Sequence, residues 1–324
     1  MFELSYDYID KSVVFTKISL KKVLEVTFSN LGASVFEILF SDNCNNMENI
    51  LMAPQKDTWL TDKTFAGSIV GPLAGRYEVG ETGLEKNRPP IHFHGGSDGW
   101  DKVVWDQSIT KNDDSVTVSF SHSTSDYKAS VIYVVDRNYN LTMEILVSPT
   151  ATTYLNPTNH MYFNLNGSAF LPVTNHLFQL DSDSIFHEKN GLIQSSDPVN
   201  VPEHFDFQIL SNLSSLPTFH GINHTYKLNK DYSGILRHPT NGRQITFRTS
   251  LPSVVIYTFN VPQENFSLNN QLYPIYSGIT FETQYPANNL ELVRFGPTHP
   301  YHSKTTYSFS IIDEKNDIHS AEQN

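Results

Sequence analysis

The chain has one cysteine, Cys44, in 324 residues, so no internal disulfide can staple it. Nor does it contain an apolar run of about 18 residues, which excludes a transmembrane helix. Positive charge is scarce: Lys+Arg total 22 against 34 for Asp+Glu, a net charge of -12. That balance repels phosphate backbones and anionic lipid, so neither nucleic acid nor a membrane is an expected partner, and a neutral small molecule suits it better. The opening residues, MFELSYDYID, have neither the basic start nor the apolar core of a secretory signal, which leads us to expect a cytoplasmic location. Linkers rich in Pro, Gly and Ser, charge blocks, low-complexity tracts and internal repeats are also missing. With 39% hydrophobic and 12% aromatic residues there is ample material for a core, and a single domain over residues 1–324 is expected.

What is present reads as strands. In SVTVSF (115 to 120), Val116, Val118 and Phe120 alternate with polar residues, the period of a half-buried strand. Val131, Tyr133 and Val135 alternate before the polar DRNYN turn, and Leu141, Met143, Ile145 and Val147 alternate after it, predicting a hairpin over 130 to 148. VVIYTFNV (254 to 261) and TTYSFSII (305 to 312) predict two more strands. No window of a dozen residues carries a helical period with caps at both ends, and β-branched and aromatic residues fill the apolar positions. The predicted fold class is all-β, a large antiparallel β-sandwich in preference to a barrel or propeller.

Three stretches carry side chains suited to chemistry. In IHFHGGSDGWDKVVW (91 to 105), His92 and His94 project from one face if the segment is extended, with Asp98 nearby. This is either a metal set or one packed and one surface histidine; no Cys ligand or second motif supports a metal. The same stretch contains GGSDG, a match to the G-x-S-x-G elbow of serine hydrolases, but it leads into alternating WDKVVWD where that elbow must lead into a helix. In TNHMYFNLNG (158 to 167), His160 lies between Asn159 and Asn164, with the hydroxyl of Tyr162 on the same face of an extended segment. His160 is either a core histidine satisfied by amides or an acid/base group in need of a partner. Glu282, in GITFETQYPANN (278 to 289), follows an apolar run and precedes a Pro286 turn. It is either a surface strand-end carboxylate or a half-buried base, and a His and a Glu in different environments make a usual acid and base pair.

Together and in order, these stretches resemble the aldose 1-epimerases, the galactose mutarotase family. SIVGPLAGRYEVG (68 to 80) is similar to that family's Gly-Arg-x-x-Asn-Arg-Ile, FHGGSDGWDKVVW (93 to 105) to its Leu-His-Gly-Gly and Gly-Phe-Asp-Lys, and TNHMYFNL (158 to 165) to its Thr-Asn-His-x-Tyr-Phe-Asn-Leu. FETQYP (281 to 286) is similar to its Glu-Thr-Gln-x-x-Pro, and NLGASV (30 to 35) to its early Gly-Ala strand. The resemblance spans most of the chain. It implies one large antiparallel β-sandwich that interconverts the α and β anomers of a free hexose without a cofactor or metal. It also implies roles: His160 as general acid, Glu282 as general base, and His94 and Arg76 binding and polarising sugar oxygens. Tyr162, Trp100 or Tyr285 would stack on the sugar's apolar face.

The chain departs from the family pattern at the binding shell. Pro72 and Gly75 stand where the family has Arg and Asn, and Val255 where it often has glutamine. GINHTYKL (221 to 228) is similar to the family's Gly-Phe-Asp-His-Asn-Phe stretch, with Asn223 in place of a substrate-binding Asp. An acid and base kept beside an altered binding shell leave the identity of the hexose open. Two other functions compete: a carbohydrate-binding protein without turnover, and a mutarotase of a phosphorylated hexose. The second needs a cluster of Arg or Lys, of which only Arg76 is visible in the motifs.

Overall fold

SVTVSF becomes part of strand Ser115–Ser123, where Val116, Val118 and Phe120 are fully buried and the intervening residues are not. The structure, a computed structural model, describes residues 1–9, 12–61, 64–80, 82–195, 197–229, 234–261, 267–268, 271–287 and 289–312. The predicted hairpin forms between Tyr127–Asp136 and Asn140–Pro149, with Val131 opposite Ile145 and Tyr133 opposite Met143. TTYSFSII falls in the longer strand Tyr301–Ile311. VVIYTFNV is shorter than expected: pairing stops at Tyr257, and Phe259 takes a left-handed φ of 48°, which turns the chain out of the ladder. Among the described residues the helical segments are short 3₁₀ turns and no α-helix occurs, as expected from a sequence with no helical period.

Three antiparallel sheets carry the architecture. A five-stranded meander runs from Phe2–Ile9 to Met47–Asn49. A nine-stranded sheet holds Asp106–Lys111, the hairpin, Tyr301–Ile311, Arg243–Thr249 and Leu177–Leu180. A seven-stranded sheet holds, among others, Asn223–Lys227, Ser253–Tyr257, Ile279–Gln284 and Tyr162–Phe163 as neighbours. The fold is all-β.

The two-residue period of the strands assigns the two faces of the seven-stranded sheet. Phe281 points to the core, stacking on Phe247 at 4.6 Å and Phe163 at 5.5 Å between ring centroids. Thr283 points the same way, its hydroxyl 3.0 Å from that of Thr305 on the nine-stranded sheet. Thr280, Glu282 and Gln284 therefore point to the opposite face. Register extends that face sideways, since Asn223 lies opposite Tyr257, Tyr257 opposite Thr280, Thr280 opposite Tyr162, and Val255 opposite Glu282.

Candidate active site

The polar face of the seven-stranded sheet floors a cleft of about 510 Å³, within the range of small-molecule sites. His160, Glu282, Arg76, His94, Tyr162 and Asn223 all line it, so the structure brings together the expected acid, base and these four expected binding residues. The expected sugar-stacking Trp100 and Tyr285 do not. Trp100 is fully buried, its indole N–H donating to the Tyr127 hydroxyl at 2.8 Å, and it packs over Gly71 so closely that a Cβ there would meet its ring at 2.4 Å. Tyr285 packs toward Phe295, and its backbone N–H donates to the Asn156 side chain at 2.9 Å. The aromatic lining comes from Tyr162, Phe65, Phe93 and Tyr257.

His160 and Glu282 form the centre. His160 Nε2 lies 3.3 Å from Glu282 Oε1, and both residues are 4% exposed. Glu282 is thus a buried mid-face carboxylate rather than a surface strand end. The Thr280 hydroxyl donates to Glu282 Oε1 at 3.0 Å. Among the described residues no hydrogen bond orients the far side of the His160 ring, because its buried Nδ1 has no partner there. Packing does this instead: the ring sits 4.9 Å from Tyr162, 6.1 Å from Phe65 and, edge-on, 5.8 Å from His94 between centroids.

His92 and His94 do not share a face. His94 adopts a left-handed φ of 45°, which ends strand Ile91–Phe93 and swings its ring into the cleft, while His92 turns away with Nδ1 3.0 Å from the Glu85 carbonyl. The Gly75 N–H donates to His94 Nδ1 at 3.2 Å, so the ring proton resides on Nε2 and is available to a ligand oxygen. Burial, reinforced by nearby His160, Arg76 and Arg88, holds the His94 imidazole well below its ordinary range, so it is neutral near pH 7. Gly75 itself has a φ of 98°, and a Cβ there would lie 2.8 Å from that of Ala287. The departure from Asn at this position is therefore a backbone requirement.

Among the described residues, His92, His94 and Asp98 do not converge as metal ligands. The set that does is His94, His160 and Glu282, whose ligand atoms lie within 4.8 Å of one another. Sequence reasoning also missed Arg88, Phe65, Phe93, Tyr257 and Gln284, all in the cleft lining. The guanidiniums of Arg76 and Arg88 stand 5.1 Å and 5.0 Å from the Phe93 ring centre, in cation-π range. Gln284 was visible in the motif FETQYP, where the two-residue period from Glu282 puts it on the same face; the others had no signal in the sequence.

The family model for Aldose 1-epimerase matches residues 16–309. The chain belongs to the aldose 1-epimerase family. It is therefore an isomerase that interconverts sugar anomers, in keeping with its curated relatives. Mouse galactose mutarotase is 25% identical, with 89% of this chain and 92% of the relative covered. The Haemophilus influenzae aldose 1-epimerase is 28% identical, covering 81% of this chain and 83% of the relative. In fold, this aldose 1-epimerase is similar to the crystal structure of galactose 1-epimerase from Lactobacillus acidophilus, with a TM-score of 0.85 at 23% identity over 97% of this chain and 100% of the other.

Proposed function

We propose that this aldose 1-epimerase acts on a free hexose such as galactose or glucose, with Glu282 as the base and His160 as the acid of ring opening. The observation that carries the proposal is the approach of His160 Nε2 to Glu282 Oε1, 3.3 Å apart and shielded from water on a cleft of sugar size. The two reacting oxygens of the sugar, the C1 hydroxyl and the ring oxygen, are joined through one carbon, so an acid and a base this close can serve both at once. Glu282 takes the C1 hydroxyl proton while His160 gives a proton to the ring oxygen, and the C1–ring oxygen bond breaks to leave an open-chain aldehyde. Rotation about C1–C2 presents the other carbonyl face. Reclosure reverses both transfers, with His160 as base and Glu282 as acid. Protons are conserved over the cycle, so the proposal requires neither cofactor nor metal.

The other lining residues bind. His94 donates from Nε2 to a sugar oxygen, Arg76 supplies a fixed charge-assisted donor, Asn223 bridges hydroxyls, and Tyr162 offers a ring to the sugar's apolar face. The chain acts as one domain, since one apolar core runs from Phe2 to Phe309. The exposed thiol of Cys44 suits a reducing compartment such as the cytoplasm. Polarimetry on freshly dissolved α-galactose and α-glucose tests the function: the approach to anomeric equilibrium should accelerate in proportion to enzyme. Because Arg88 adds a second guanidinium to the cleft, a hexose phosphate belongs in the same assay, and the free sugar should turn over with the higher kcat/KM. A protein that binds sugar without accelerating mutarotation would contradict the proposal.

A further inference from the structure

A small annex opens beside the main cleft. It is bounded by residues that also line the cleft, Arg76, Asn223 and Gln284 among them, and on its far side by Glu188. Its volume is about 20 Å³. That is room for one water molecule or one hydroxyl group and too little for a sugar ring.

The wall that carries Glu188 is a hairpin of Glu188–Lys189 and Leu192–Ile193. Its two-residue turn, Asn190 and Gly191, has φ values of 55° and 74°, the left-handed pair that such tight hairpins need. The turn presses on the site: a Cβ at Gly191 would lie 3.1 Å from the Arg76 side chain. The hairpin is also tied to the sheet next to Asn223, because the Thr225 N–H and hydroxyl both donate to Glu188 Oε1, at 3.1 and 2.9 Å. Among the described residues Glu188 Oε2 has no hydrogen-bond partner. Gln284, 1% exposed, also has a buried side-chain oxygen without a partner. Among the described residues the Arg76 guanidinium has the Phe93 ring as a cation-π neighbour and no ion pair or side-chain hydrogen bond.

Among the described residues, a carboxylate oxygen of half-buried Glu188, a buried amide oxygen and a guanidinium are left without hydrogen-bond partners around a space of one oxygen atom, a set that a ligand can complete. A hydroxyl can: it donates one hydrogen bond and accepts another. Burial pushes the Glu188 carboxyl up, opposed by its bonds from Thr225 and by the Arg76 charge.

We propose that Glu188 is a substrate-binding residue, whose Oε2 accepts a hydrogen bond from one hydroxyl of the hexose as that hydroxyl enters the annex between Arg76 and Asn223. The inference rests on the reading of the cleft as a sugar site. Glu188 then supplies, from a neighbouring hairpin, the carboxylate that position 223 lacks in this chain. The recognised chemistry is a neutral hydroxyl rather than an anionic substituent, since a phosphate does not fit the annex and would meet the carboxylate.

The test compares kcat/KM for galactose and glucose with their 2-, 3-, 4- and 6-deoxy forms in the wild type, Glu188→Ala and Glu188→Gln. In the wild type one deoxy position should lose about tenfold to a hundredfold, the range of one hydrogen bond to a charged group. In Glu188→Ala that position-specific loss should vanish while the losses at other positions persist. The Gln side chain can still accept from Thr225, so Glu188→Gln keeps the hairpin tied and should show the same selective effect if the Ala variant fails to fold. Equal losses at every position in wild type and variants would overturn the proposal and leave Glu188 as a tie for the hairpin. Calorimetric binding of the same sugars carries the comparison independently of turnover. A wild type that binds selectively without turnover would contradict the proposed catalysis while supporting the role of Glu188.

Discussion

Replacing Glu282 with Gln changes one oxygen to an amide nitrogen and little else, and the structure makes the consequence specific. The amide oxygen can keep the 3.0 Å bond from the Thr280 hydroxyl, so the strand and its packing stay in place. The same oxygen position lies 3.3 Å from His160 Nε2, so the imidazole keeps its contact while the amide nitrogen replaces Oε2. An amide cannot accept the proton of the C1 hydroxyl, so ring opening loses its base. The variant thus loses the base and leaves the acid in place. A positioned acid or base is worth about 10² to 10⁴ in rate, or about 3 to 5 kcal/mol of barrier at 1.36 kcal/mol per decade. The initial polarimetric rate should fall by at least about 10² while the thermal midpoint stays or rises, because a buried charge has been removed. A variant with unchanged folding and a rate within tenfold of the parent would refute the assignment.

Other outcomes follow from the same geometry. Gly75→Ala forces a Cβ into a left-handed conformation 2.8 Å from the Ala287 Cβ, so it should lower the thermal midpoint, by about 1 kcal/mol or more of stability, and also reduce kcat/KM by disturbing the Gly75 N–H bond to His94. His176 is fully buried with Nε2 accepting from the Leu165 N–H at 2.8 Å, and burial pulls its imidazole down to about 3. The unfolded chain therefore binds a proton below about pH 6.5 that the folded chain refuses, and His176 costs up to about 1.4 kcal/mol of stability for each further unit of acidification down to its folded pKa. Urea unfolding between pH 7 and pH 4 should show this slope reduced in His176→Gln, and an unchanged slope would exclude His176 as its source. Exhaustive dialysis against EDTA should leave full mutarotase activity; a loss restored by a divalent ion would make His94, His160 and Glu282 ligands in place of an acid/base site.

Much of this was legible in the sequence because strand alternation is local. The buried Val116, Val118 and Phe120 announce themselves by spacing alone, and so does the shared face of Glu282 and Gln284 once the period of two is applied. His160 and Glu282 were found as short motifs but given a common site only by resemblance, since they meet through sheet pairing more than a hundred residues apart. What stayed hidden depends on backbone turns and on neighbours in space. The left-handed φ at His94 separates it from His92, and no pattern marks it. Trp100 has the composition of a stacking platform but is consumed by packing on Gly71. Arg88 enters from a segment without a motif, and Glu188 reaches Thr225 only because its hairpin folds back on the sheet. The departure at Gly75 looked like a lost polar contact, whereas its N–H fixes the His94 tautomer.

The claim that His160 and Glu282 work as one unit is tested most directly by anomer exchange at equilibrium, measured by NMR saturation transfer between the α and β anomeric protons of galactose. The rates to compare are those of the parent, His160→Ala, Glu282→Gln and the double variant. Groups that share one proton-transfer step lose their effect together, so the double variant should exchange about as slowly as the slower single variant. Losses that multiply across the double variant, or a His160→Ala rate near that of the parent, would contradict the account.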